Sequence, residues 1–183
     1  MKFIRYFLIL AVAVFGVSLT DVNAQSSSKR GEPATIEQKV FKEINKLPYY
    51  GLFDNIKYQV NGSTVILSGK VNSLGLKKSA ERVVKKIDGV ETVVNNIEEL
   101  PPSSLDSRIR RQLAREFARS GGLYRYLWEP NPSVRIIVDR GRVELEGFVA
   151  NRGDYNLMNI LANSVPGVFG VKNNLIVESD LTR

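Results

Sequence analysis

The chain predicts an α+β fold of two tandem αββαβ modules, each a three-stranded mixed sheet packed against two helices. Three observations carry that reading. The segment Val65-Ile66-Leu67-Ser68-Gly69-Lys70-Val71 returns as Val143-Glu144-Leu145-Glu146-Gly147-Phe148-Val149. Asp88-Gly89-Val90 through Val93 to Asn95-Asn96-Ile97 returns as Pro166-Gly167-Val168 through Val171 to Asn173-Asn174-Leu175, every match at one offset of 78 residues. Apolar residues recur at helical and at alternating spacing in the same order in both copies. A constant offset across a strand, a helix and a second strand marks two copies of one domain, and two are too few for a solenoid.

In the first copy, order is expected from Thr35, which stands three residues before Gln38 in capping-box spacing; Ile36, Val40, Ile44 and Leu47 then follow at helical intervals. Pro48 stops this helix. Alternation at Ile56, Tyr58 and Val60, an Asn61-Gly62 turn, and alternation at Val65, Leu67 and Val71 predict a β-hairpin. A second helix carries Leu76, Ala80, Val83 and Ile87 on its apolar face, with Gly89 placed to end it. Val90 to Ile97 reads as the third strand. Pro101-Pro102-Ser103 forms a stiff linker.

The second copy repeats the order. Its first helix carries Leu105, Ile109, Leu113 and Phe117, its hairpin Val134, Ile136 and Val138 followed by Val143, Leu145 and Val149, and its second helix Met158, Leu161 and Val165. The first helices are related by an offset of only 69 residues, so nine extra residues are expected between Arg119 and Ser133. The modules are thus residues 35–100 and 104–178, separated by 101–103 and followed by a tail at 179–183.

The start of the chain has a different character. Lys2 and Arg5 precede an apolar run from Phe7 to Leu19, and Val22-Asn23-Ala24 ends in a small residue, the pattern of a secretory signal cleaved after Ala24. The run is shorter than the roughly 20 residues that span a bilayer. Gln25 stands where a lipoprotein needs cysteine, so no lipid anchor is expected. Residues 25–34, rich in serine and charge, read as a disordered leader. The chain carries 26 basic and 19 acidic residues, and removing Lys2, Arg5 and Asp21 leaves a net charge of +6. That sign favours anionic partners. Nucleic acid is not expected for an exported protein.

The repeated unit closes on Gly-Val-x-x-Val-x-Asn-x-Leu/Ile after a hairpin with a central glycine, Gly69 or Gly147. In this it resembles the BON domain of bacterial exported proteins, over residues 36–100 and 104–178. The tandem arrangement behind a signal peptide resembles the family's periplasmic members, some osmotically induced and some membrane-associated. The resemblance implies phospholipid binding or attachment of proteins at membranes in the envelope. It supplies no catalytic residues and no cofactor.

The chain contains no histidine and no cysteine, which removes the common general base, the thiol nucleophile and most zinc sites. Serine with lysine, or paired carboxylates, remain formally available. Glu144 and Glu146 lie two apart on a strand and share one face, read here as solvated, with a weak cation site as the alternative. Binding is therefore expected, not turnover.

Arg108, Arg111, Arg115 and Arg119 line the side of a helix opposed to its apolar stripe, and Lys39, Lys42 and Lys46 stand at the positions equivalent to the first three. A surface helix must be polar somewhere, which is the plain alternative. What distinguishes the arginines is the segment Gly121-Gly122-Leu123-Tyr124-Arg125-Tyr126-Leu127-Trp128 that follows them. Tyrosine and tryptophan suit a headgroup boundary, and arginine pairs with phosphate through a planar fork. Arg108, Arg111, Arg115, Arg119, Tyr124, Arg125, Tyr126 and Trp128 are thus the candidate contacts to an anionic phospholipid surface. In the alternative, Leu123, Tyr126 and Trp128 pack against the other module. A second functional class, a soluble envelope-stress protein that binds unfolded or partner proteins, fits the same exposed aromatics and sheet edges.

Overall fold

The computed structural model describes residues 34–128 and 131–181; the expected signal peptide and nearly all of the leader lie outside them. Helix α1 (Ile36–Asn45) opens on the expected capping box, the Thr35 hydroxyl accepting from the Gln38 amide and the Gln38 side chain from the Thr35 amide. It buries Val40 and Ile44 and ends before Pro48. Strands β1 (Asn55–Asn61) and β2 (Thr64–Val71) pair antiparallel, and β3 (Thr92–Glu99) joins β2 in parallel, giving the order β1-β2-β3. The parallel connection runs through helix α2 (Leu76–Val84).

Helix α2 stops five residues before Gly89, sooner than expected. Its end tightens into i to i+3 bonds, Lys86 N to Val83 O and Ile87 N to Val84 O, and Gly89 closes the following turn at φ +95°. Val84, not Val83, takes the fully buried place beside Leu76 and Ala80, and Val83 packs at the rim of the core.

The second module repeats this layout. Helix α3 (Ser104–Arg119) precedes a short 3₁₀ helix (Leu123–Tyr126). Strands β4 (Val134–Asp139), β5 (Arg142–Val149) and β6 (Gly170–Val177) form a sheet of order β4-β5-β6, and helix α4 (Arg152–Ser164) makes the crossover. A helical turn, α5 (Glu178–Leu181), occupies the expected tail, and Arg152 pairs with Asp180 there. The extra length begins earlier than expected, because α3 has 16 residues against 10 in α1. At the 69-residue offset Pro48 corresponds to Phe117, which continues the helix and is fully buried. Leu161 is only partly buried, beside the buried Met158, Ala162 and Val165.

The repeat's signature residues have structural work. A Cβ on Gly69 would lie 2.2 Å from the Asn55 carbonyl oxygen, and on Gly147 1.9 Å from that of Ser133. Asn95 donates to the Lys77 carbonyl at 3.0 Å and accepts from the Ile97 amide at 3.2 Å, tying β3 to α2. Asn173 makes the same pair of bonds to Tyr155 and Leu175.

The two modules share a seam. The loop after α1 reaches into the second module: the Ile136 amide donates to the Leu52 carbonyl at 2.8 Å, and the Leu52 side chain joins the second module's core. Arg135 lies 4.2 Å over the Tyr50 ring and donates to the Gly51 carbonyl at 2.7 Å. The helix-free faces of the sheets also meet. Lys57 pairs with Glu146 and Lys70 with Glu144, each at 2.9 Å, beside the buried Ile137. The solvated reading of Glu144 and Glu146 is therefore corrected. They do share a face, but Ile137 on that face is apolar and draws module one over it, and lysines supply the charge a cation would have supplied.

A candidate anionic-surface site

The N-terminus of α3 is set by Ser103, whose hydroxyl accepts from the Asp106 amide at 3.1 Å. Ile109, Leu113 and Phe117 bury one side of the helix. With about 100° per residue, Arg108, Arg111, Arg115 and Arg119 must then fall on the far side, and all four are exposed. Arg110, outside the expected stripe, points inward. It is buried, donates to the Val138 carbonyl, and is held below the usual arginine range mainly by burial, against the opposing pull of Asp106, Asp54 and Asp139. Nothing in the helical spacing separated Arg110 from its neighbours except its place about 100° from Ile109, on the flank of the apolar stripe.

Gly121 and Gly122, at φ +55° and +77°, turn the chain back over the helix end. Leu123 then enters the core, and Tyr126 is only 6% exposed. The Tyr126 hydroxyl donates to Asp154 at 2.5 Å and accepts from the Ala150 amide at 3.0 Å. Arg125 donates to the Tyr126 hydroxyl at 2.9 Å and pairs with Asp154; the Tyr126 bond first, then Asp154, raises its pKa. Tyr126 is therefore withdrawn from the expected surface: its ring fills the second module's own core and its hydroxyl satisfies a buried carboxylate. With Leu123 and Tyr126 anchored, their alternation throws Tyr124 and Trp128 outward, 57% and 72% exposed. Leu123 and Tyr126 share their core cluster with Leu52 of the first module's loop, with Phe53 packed against it, so part of the interdomain alternative holds for them, while Trp128 stands in solvent.

The lysines of the first module are less available. Lys46 pairs with Glu43 at 2.9 Å and Lys39 reaches the Asp88 carbonyl at 3.5 Å. Helix α2 and its end add Lys77, Lys78, Arg82, Lys85 and Lys86, a basic group with no matching set at the 78-residue offset; Lys85 is held by Glu81 at 2.6 Å.

The BON domain family model matches residues 33–101 and 105–179. The chain belongs to the BON domain family. The two BON domains coincide with the two modules, so the repeat and the family describe the same unit. BON domains are associated with phospholipid binding and envelope proteins, are generally non-catalytic binding modules, and occur typically in periplasmic or envelope-associated proteins. No helix among the described residues is long and apolar enough to cross a membrane. No curated protein matches the chain. Among solved structures, the chain is similar to the C-terminal domain of CdsD, a structural protein of the type III secretion system of Chlamydia trachomatis, at 12% identity and a TM-score of 0.32, covering 80% of this chain and 99% of that one. A second structure of CdsD gives 13% identity, a TM-score of 0.32, and coverage of 80% and 95%. Neither likeness bears on function.

Proposed function

We propose that the second BON domain docks reversibly on anionic phospholipid surfaces, with no covalent chemistry. Arg108, Arg111, Arg115 and Arg119 engage phosphates, and Tyr124 and Trp128 enter the headgroup boundary. The observation that carries this reading is the exposure of two large aromatics beside four exposed arginines, while their neighbours Leu123 and Tyr126 are locked inside. Singly exposed apolar side chains are ordinary, but large aromatics grouped with basic side chains suit an interaction surface. Arg125 contributes less than the others, since its charge is already answered by Asp154. Each basic side chain near such a surface is worth about 1 kcal/mol, fading over one Debye length, so four together with a shallow aromatic give reversible attachment.

Co-sedimentation with vesicles tests the reading. Pelleting should require anionic lipid and fall as salt rises; equal pelleting with neutral vesicles would overturn it. Trp128 is the chain's only tryptophan. Its emission should be that of a solvated indole in buffer and shift to the blue on anionic vesicles, and an unchanged spectrum would remove the aromatic from the contact. Protection of a denatured client from aggregation without lipid, in the absence of vesicle binding, would place the protein in the other class.

A further inference from the structure

The helix-free face of the second sheet is only partly covered by the first domain. Beyond Ile137, Arg135 and Glu146 it continues into Phe148 and Ile176, cross-strand neighbours on β5 and β6 that are 45% and 44% exposed. Phe169, just before β6, is 76% exposed. The repeat provides an internal control. At the offset of 78, Phe148, Phe169 and Ile176 correspond to Lys70, Glu91 and Glu98, all charged. One fold tolerates both sets, so the apolar set answers to something other than folding.

The edges of the sheets differ in the same sense. At β4 the outward Ile136 amide is taken by the Leu52 carbonyl, and at β1 the Ile56 amide donates to the Tyr50 hydroxyl at 3.2 Å. Strand β3 is preceded by Glu91 and ends in Glu98 and Glu99, which repel a second strand of like sequence. Strand β6 has eight residues, no proline, and a charge only at its ends: Lys172 near one and Glu178 just past the other.

We propose that β6 and the apolar pair beside it form the interface of a homodimer, in which β6 of two copies meets antiparallel about a two-fold axis. A two-fold arrangement brings Lys172 of each copy toward Glu178 of the other, because antiparallel pairing exchanges the strand's ends. The register that sets Lys172 opposite Glu178 sets Ile176 of each copy opposite Asn174 of the other, so the apolar strip of Phe148 and Ile176 runs up to the joint from both sides and lengthens the helix-free face that the seam covers at Ile137. The same charge pattern disfavours parallel stacking, which would set lysine beside lysine.

The test is sedimentation of the purified protein in lipid-free buffer from about 1 to 100 μM, where a weak dimer becomes populated by mass action. The protein should pass from monomer to dimer across that range. The double variant Phe148→Lys with Ile176→Glu copies the Lys70 and Glu98 pair that the first domain already carries in this register, so the fold accepts it. It should weaken dimerisation about tenfold or more. Hydrogen exchange gives a second reading on the unaltered protein: β6 amides should exchange more slowly as concentration rises, those of β3 should not. A monomer throughout, or a dimer indifferent to the double variant, overturns the proposal. So does a monomer whose vesicle pelleting is lost in the double variant, which would assign the patch to lipid.

Discussion

At Gly147 one added methyl group would lie 1.9 Å from the Ser133 carbonyl oxygen, on backbone at φ +113°. Main chain cannot give way cheaply, so Gly147→Ala should lower stability by about 2 kcal/mol or more, read as a fall in melting temperature. Gly170→Ala, with open space around it and no positive φ, should stay within about 0.5 kcal/mol. The contrast separates a glycine required by a close approach from one that is not. Leu145 is fully buried at the centre of β5, and Leu145→Ala should cost about 2–5 kcal/mol, a serious loss for so small a core. Retained stability would show that the strand does not carry the core on that face. Arg110 is the opposite case, a buried charge whose Nε has no hydrogen-bond partner and whose charge is answered by Asp106, Asp54 and Asp139.

Among the elements, α3 and α1 differ most in what surrounds them. Both stretches carry three cations at equivalent positions, and α1 with the turn after it exposes Phe41 and Tyr49, but α3 adds a fourth cation, Arg119, and leads into Tyr124 and the single tryptophan Trp128. Charge attraction combined with apolar insertion holds a surface better than either alone. Arg111→Glu with Arg115→Glu should therefore weaken pelleting with anionic vesicles far more than Lys42→Glu with Lys46→Glu, whose Lys46 is already paired. Equal effects would move the contact off α3 and onto the chain's general charge. Trp128→Ala should reduce binding while leaving its dependence on salt nearly unchanged, since it removes buried area and no charge.

At the scale of the whole molecule, the seam turns two small domains into one stable body. Lys70 is central there. Its hydrogen bond to Glu144 raises its pKa above the ordinary 10.5, outweighing burial, which acts the other way. A raised lysine pKa adds stability that is fully present below the unfolded value and is lost as pH climbs through the folded one. Lys70→Met should therefore melt below the unaltered protein at pH 7, by no more than about 1 kcal/mol for a pair still partly in water. The gap should close as pH passes well above 10.5. A gap that persists unchanged at alkaline pH would assign the effect to packing of the lysine's carbon chain.

The repeat, the order αββαβ, the hairpins and most of the core were legible in the residues alone, because alternation, helical spacing and turn chemistry are local properties that the chain writes along itself. So was the arginine stripe, since the apolar side of α3 dictates the other. Tyr126 was not legible: whether a ring faces lipid or core depends on Asp154 and Ala150, 28 and 24 residues away in the chain. Arg110 and the covering of Glu144 and Glu146 were hidden for the same reason. A side chain's periodicity names its face, but what lies against that face is decided by segments distant in sequence, and only the tertiary structure brings them together.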